Sequence, residues 1–171
     1  MQSGLSALSS IDEWLAWQEQ CHVKNIDLGL ERVASVYKAL KPTHSRSIYT
    51  ITVAGTNGKG SCVAMLEAIF IAAGYRVGVY STPHLKHYNE RVRINGTPVL
   101  DSSLASSFCK IDLARKETSL SYFEFGTLAA VDVFDHYKVD IQILEVGLGG
   151  RLDAVNIVDA DAALITSISI D

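Results

Sequence analysis

Gly55-Thr56-Asn57-Gly58-Lys59-Gly60-Ser61 lies between a β-branched, aromatic run, Ile48 to Ala54, and an apolar stretch with helical spacing, Ser61 to Ala73. At such a junction glycines let the backbone approach a phosphate. The helix N-terminus offers free N–H groups and a positive dipole end, and Lys59 adds a full charge. The fit to the pattern GxxxxGK[ST] is imperfect: Val53 occupies the first glycine position, and Gly60 separates Lys59 from Ser61. A plain glycine-rich turn is the alternative.

Glu145 ends a second apolar run, Ile141-Gln142-Ile143-Leu144. An open α/β sheet presents its ligand-binding side chains at the carboxyl ends of its strands, and an acid there suits a magnesium ion, which needs few protein ligands when phosphates supply the rest. Read alone, Glu145 is equally a solvated acid at a strand end. The following Gly147-Leu148-Gly149-Gly150-Arg151 lacks the GxGxxG spacing of a dinucleotide fingerprint. Arg151 and Asp153 read as a salt-bridged turn or as ligand-facing groups. The segment from His84 to Arg93 gathers Lys86, Arg91, Arg93 and two histidines in an acidic protein, which suits steering of anionic substrates or a solvated hairpin.

The elements that must hold these groups alternate in type. Ser10 with Glu13 forms a capping-box signature ahead of Ile11, Trp14, Leu15 and Trp17. Asp27 can cap a second helix through Leu30, Val33, Tyr37 and Leu40, with Pro42 beyond its end and a connector to Ser47. Strands are expected at Ile48–Ala54, Arg76–Tyr80, Ile141–Val146 and Ala162–Ile168, and a small hairpin turns at Asn95-Gly96, with Pro98 confining its return strand to an edge. Asp101 can cap a helix through Leu104, Phe108 and Ile111, and another is expected from about Phe123 to Tyr137. This order predicts an α/β fold with a doubly wound, mostly parallel sheet in one domain spanning residues 1–171.

Composition narrows the partners. With 15 Lys and Arg against 19 Asp and Glu the formal charge is −4, the wrong sign for a non-specific grip on nucleic acid. Cys21, Cys62 and Cys109 form no CxxC pair, so neither a disulfide framework nor a zinc site is indicated and a cytoplasmic setting fits. No export signal opens the sequence, and the most apolar helical stretch is broken by Glu67 and too short to span a bilayer, so no membrane association is expected.

Taken together, TVAGTNGKGS at 52–61, STPHL at 81–85, NERVRING at 89–96, YFEFGT at 122–127 and LEVGLGGRLDAVNIVDAD at 144–161, with IDLGLERV at 26–33, closely resemble the folylpolyglutamate synthase and dihydrofolate synthase family in its bifunctional bacterial form. Muramyl peptide ligases of the same superfamily share the phosphate loop and not the other motifs. The resemblance implies a P-loop-containing, Mur-ligase-like domain, incomplete at its C-terminus. It implies an enzyme that uses ATP to phosphorylate the carboxylate of dihydropteroate or of a reduced folate, the acyl phosphate then being attacked by L-glutamate. ATP binding is carried onto Thr56, Asn57, Gly58, Lys59, Gly60 and Ser61, Mg²⁺ ligation onto Thr82 and Glu145, and catalysis onto Lys59 and Glu145. Thr82 stands where the family usually has serine and keeps the hydroxyl. Acceptor binding is carried onto Ile26, Asp27, Leu28, Ser121, Tyr122, Phe123, Glu124, Leu152, Asp153 and Ala154.

The family is generally monomeric. It continues past residue 171 with a histidine for a second magnesium, a carbamylated lysine and a C-terminal Rossmann-like domain, so this stretch alone is expected to be nearly inactive. A muramyl-type amino acid ligase and a non-catalytic nucleotide-binding module are the competing readings, separated by which acceptor triggers ATP turnover.

Overall fold

Ser10 caps the start of the first helix as its spacing to Glu13 predicts. Its hydroxyl accepts the Glu13 N–H at 3.3 Å, and the Glu13 carboxylate accepts the Ser10 N–H at 2.7 Å. The helix it opens, α1 (Ile11–Cys21), buries Trp14 completely. The computed structural model describes residues 3–22, 29–40 and 48–169. α2 (Glu31–Leu40) buries Val33 and Val36, while the expected cap at Asp27 and the connector from Pro42 to Ser47 lie outside the described residues.

Six strands form one sheet: β1 (Tyr49–Ala54), β2 (Val77–Tyr80), β3 (Val92–Ile94), β4 (Thr97–Pro98), β5 (Ile141–Glu145) and β6 (Ala162–Ile165), in the order β4-β3-β2-β5-β1-β6. β1 is parallel to β5 and β6, and β5 to β2, whereas β3 runs antiparallel to β2 and β4 to β3. The sheet is therefore mostly parallel, with Pro98 on the edge strand, as the spacing predicts.

Alternation along the strands sorts side chains between two faces. Ile51, Val53, Val77, Val79, Ile141 and Ile143 join Val63 of α3 (Lys59–Ala72) in one core. Tyr80 and Leu144 point the other way, into a larger core with α1, α2, α4 (Asp101–Arg115) and α5 (Tyr122–Tyr137). Helices on both faces give the doubly wound arrangement. α5 packs so closely that a Cβ on Gly78 of β2 would lie 2.6 Å from the Phe134 ring, so only glycine fits there. No helix among the described residues is long and apolar enough to cross a membrane.

Several boundaries differ from expectation. α3 starts at Lys59, two residues before Ser61, because Gly58 adopts the left-handed conformation (φ 86°) that opens the helix. Asp101 is the first helical residue of α4 and not its cap; the N-cap is Leu100, which makes no side-chain capping bond. α5 begins at Tyr122 behind Ser121. β6 ends at Ile165, and Ser167 bridges instead to Asn57, its carbonyl accepting the Thr56 N–H at 2.9 Å.

Candidate functional site

Because β1, β2 and β5 are parallel, their carboxyl ends deliver three groups to one sheet edge. Val53 is in register with Glu145, and Tyr80 with Leu144. The glycine loop therefore follows β1 beside Glu145 at the end of β5, with Ser81 and Thr82 just past β2. Glu145 is 4% exposed and accepts the Thr82 N–H at 3.2 Å. Burial pushes its carboxyl above the usual range, opposed by that N–H and by the charges of Lys59 and Arg93.

α3 opens on Gly58, which has no side chain with which to cap the helix, so no side-chain oxygen takes up its leading N–H groups. Lys59 Nζ donates to Gly55 O at 2.7 Å and Thr56 O at 3.2 Å. An ammonium has three N–H groups, so one remains for a ligand. The Thr56 hydroxyl is spent on Ser169, donating to its carbonyl and accepting its N–H, each at 3.2 Å.

α5 presents its first turn to the same edge. Ser121 Oγ accepts the Glu124 N–H at 3.3 Å, the Glu124 carboxylate accepts the Ser121 N–H at 2.7 Å, and its other oxygen meets Arg32 at 3.1 Å. Ser121 and Glu124 thus build the helix end and the aromatic side chains of Tyr122 and Phe123 are what it displays. Asp153, buried after β5, accepts N–H groups from Gly147 (3.0 Å), Leu148 (2.9 Å) and Val155 (3.0 Å), which oppose the rise that burial imposes on its carboxyl. It holds the loop after β5 in shape and is no salt-bridged turn with Arg151. Gly147 is required there, since a Cβ would sit 2.8 Å from the Phe123 ring.

These elements enclose a cleft of about 420 Å³. It brings together Lys59, Thr82 and Glu145 with Ser121, Tyr122, Phe123, Glu124, Leu152, Asp153 and Ala154. Thr56, Asn57 and Gly58, ahead of α3, and Gly60 and Ser61, in its first turn, lie outside the lining of the cleft, and Ile26, Asp27 and Leu28 lie outside the described residues. The sequence reading did not single out Gly29, Pro83, Gly147 or Leu148 as ligand-facing, and it took Arg91 only as one charge in a steering run. That run is divided by the fold. Arg93 pairs with buried Glu67 at 2.9 Å, Glu90 accepts the N–H groups of Leu85, Lys86 and His87, and Arg91 faces the cleft. His84 accepts the Arg91 Nε–H at 2.8 Å, and burial together with that guanidinium holds its imidazole below the usual range.

No family model matches the chain. It is 53% identical over 168 residues to a dihydrofolate synthase/folylpolyglutamate synthase of Escherichia coli (strain K12), covering 96% of this chain and 39% of that protein. It is 54% identical over 167 residues to the protein of the same name from Haemophilus influenzae, covering 98% and 38%. The chain thus spans about two fifths of the length of these relatives. Among solved structures, E. coli FolC in complex with DHPP and ADP superposes with a TM-score of 0.94 at 52% identity, over 98% of this chain and 40% of that one. The bifunctional folylpolyglutamate synthase/dihydrofolate synthase of Yersinia pestis, complexed with AMPPNP and a Mn ion, gives 0.92 at 52% identity over the same shares. By sequence and by fold, the chain belongs to the dihydrofolate synthase/folylpolyglutamate synthase family and corresponds to the N-terminal part of its members.

Proposed function

We propose that this chain forms the nucleotide- and acceptor-binding side of an ATP-dependent ligase that adds L-glutamate to dihydropteroate and to reduced folates through an acyl phosphate. The observation that carries this is the single cleft in which Lys59 and Glu145, at the sheet edge, face the aromatic turn of Tyr122 and Phe123. Relatives solved with ADP and DHPP, or with Mn, AMPPNP and L-glutamate, support the same reading.

The uncapped N–H groups of α3 and the ammonium of Lys59 bind the phosphates of ATP and hold negative charge on the transferring phosphoryl group. The buried Glu145 carboxylate, whose ionised form is disfavoured without a cation, and the Thr82 hydroxyl fit a hard, oxygen-seeking divalent ion. Mg²⁺ bound there would neutralise charge between phosphate oxygens. Phe123 offers a face on which a pterin can stack, and Asp153 a remaining lone pair for ring N–H groups. On this side of the site, positioning and fixed charge dominate over acid–base chemistry.

The remainder of a full-length member, including a C-terminal Rossmann-like domain, supplies the rest of the site, so this stretch alone binds nucleotide weakly and turns over little. We place the enzyme in the cytoplasm as a monomer acting on small molecules and not on nucleic acid. The test is ADP release by the complete gene product with ATP, Mg²⁺ and L-glutamate, given dihydropteroate or tetrahydrofolate. Turnover with both is expected. Silence with both, or turnover only with a nucleotide-linked muramyl precursor, would overturn the assignment.

A further inference from the structure

Arg91 and Arg93 stand two residues apart and are used in opposite ways. The Arg93 guanidinium is consumed by the fold. Nη2 and Nε reach Glu67 Oε2 at 2.9 and 3.2 Å, and Nη1 donates to Ser81 Oγ at 3.0 Å and Glu90 O at 3.2 Å. Arg91, by contrast, meets no carboxylate at ion-pair distance among the described residues. Its Nε donates to His84 Nδ1 at 2.8 Å, a partner that brings no negative charge to the guanidinium.

The guanidinium is nevertheless held. Its carbon lies 5.1 Å from the Tyr88 ring centroid and 5.4 Å from that of Tyr122, and the two rings meet at 88° with centroids 5.6 Å apart. Aromatic rings hold an arginine without neutralising it, and its remaining N–H donors can dock a carboxylate through two parallel N–H···O bonds. Arg91 lines the same cleft as Lys59, Glu145 and Phe123. A cation that the fold orients and does not neutralise, in the lining of a partly apolar cleft, suits an anion that arrives with the ligand.

We infer that Arg91 binds the carboxylate of the acceptor and aims it at the phosphoryl donor, with His84, Tyr88 and Tyr122 acting as positioning residues. The inference rests on the ligase reading above. The acceptor and not ATP is its ligand because Arg91 stacks on Tyr122, the immediate neighbour of Phe123, while the phosphates belong to the α3 terminus.

In the complete gene product, Arg91→Lys keeps the charge and removes the fork. The expected result is a fall of about 100-fold in kcat/KM for dihydropteroate, the scale of a lost charge-assisted pair, with ADP affinity, melting temperature and the KM for L-glutamate near the parent's. A second arm compares binding of dihydropteroate with that of its carboxamide. The parent should prefer the carboxylate by about tenfold or more, and the variant should lose that preference. His84→Leu, which frees the fork to turn, should raise the KM for dihydropteroate by a smaller factor. A KM change confined to L-glutamate, or an Arg91→Lys protein that matches the parent and still prefers the carboxylate, overturns the role of Arg91 and leaves the ligase reading intact. A parent silent with both folate acceptors overturns both.

Discussion

Two helices bring their N-termini to the same cleft, and they are finished in opposite ways. At α5, Ser121 and Glu124 satisfy each other's N–H groups and Glu124 is further tied to Arg32. At α3, the cap is Gly58 in a left-handed conformation, with no side chain to offer. Every helix starts with unpaired N–H donors. α5 resolves that locally and is left to present Tyr122 and Phe123, whereas at α3 no side chain does so. Under the proposed function, the identity of the capping residues divides one cleft into an anion end and an aromatic end.

The comparison breaks most visibly at Lys59, the one full charge on the open terminus that lines the cleft. Lys59→Ala in the complete gene product should lower kcat by about 100- to 1000-fold, the scale of losing one preorganised charge contact. Steady-state rates with saturating ATP and acceptor check this, and a near-normal kcat would remove Lys59 from the mechanism.

Converting one terminus into the other is the next test. Gly58→Asp places a negative charge at the α3 terminus where phosphate should bind, on a left-handed backbone (φ 86°) that strains any side chain. ADP affinity should fall by about tenfold, as calorimetric titration would show. The reverse operation, Ser121→Ala, should leave ADP affinity unchanged and cost about 1 kcal/mol of stability. In a chain of this size that lowers the melting temperature by roughly 2–4 °C.

Much of this division was legible in the sequence. The strand, glycine loop and helix around Lys59, the strand-end Glu145 and the capping box of Ser10 with Glu13 are local patterns, and local patterns survive without coordinates. The second capping box, Ser121 with Glu124, has the same spacing and went unread, because the resemblance had already claimed both residues for substrate. The structural part of Asp153 was illegible because its three backbone N–H partners come from a loop whose course no periodicity predicts. The fates of Arg91 and Arg93 were illegible for a different reason. Glu67, which neutralises Arg93, lies 26 residues away on α3, and only the pairing of β2 with β3 brings the two together.

The smallest expected effect is at Glu145, which faces the open terminus without being part of it. Burial raises its folded-state pKa above the ordinary carboxylate value of 4.5, so the fold favours the protonated form. Its contribution to stability is complete below that ordinary value and is lost as pH rises through the folded one; above both, the ionised group is a net cost. Glu145→Gln keeps an oxygen that can accept the Thr82 N–H and removes the charge. In the absence of ligands, the variant should therefore melt slightly higher than the parent at pH 8, and the gap should close as the pH falls below about 4. Adding Mg²⁺ and ADP should invert the order, because only the parent offers a carboxylate to the cation and is stabilised by the resulting binding. A parent that melts above the variant at every pH without ligand would mean that Lys59 and Arg93 already compensate the buried charge. The cost that makes this corner receptive to a cation would then be absent.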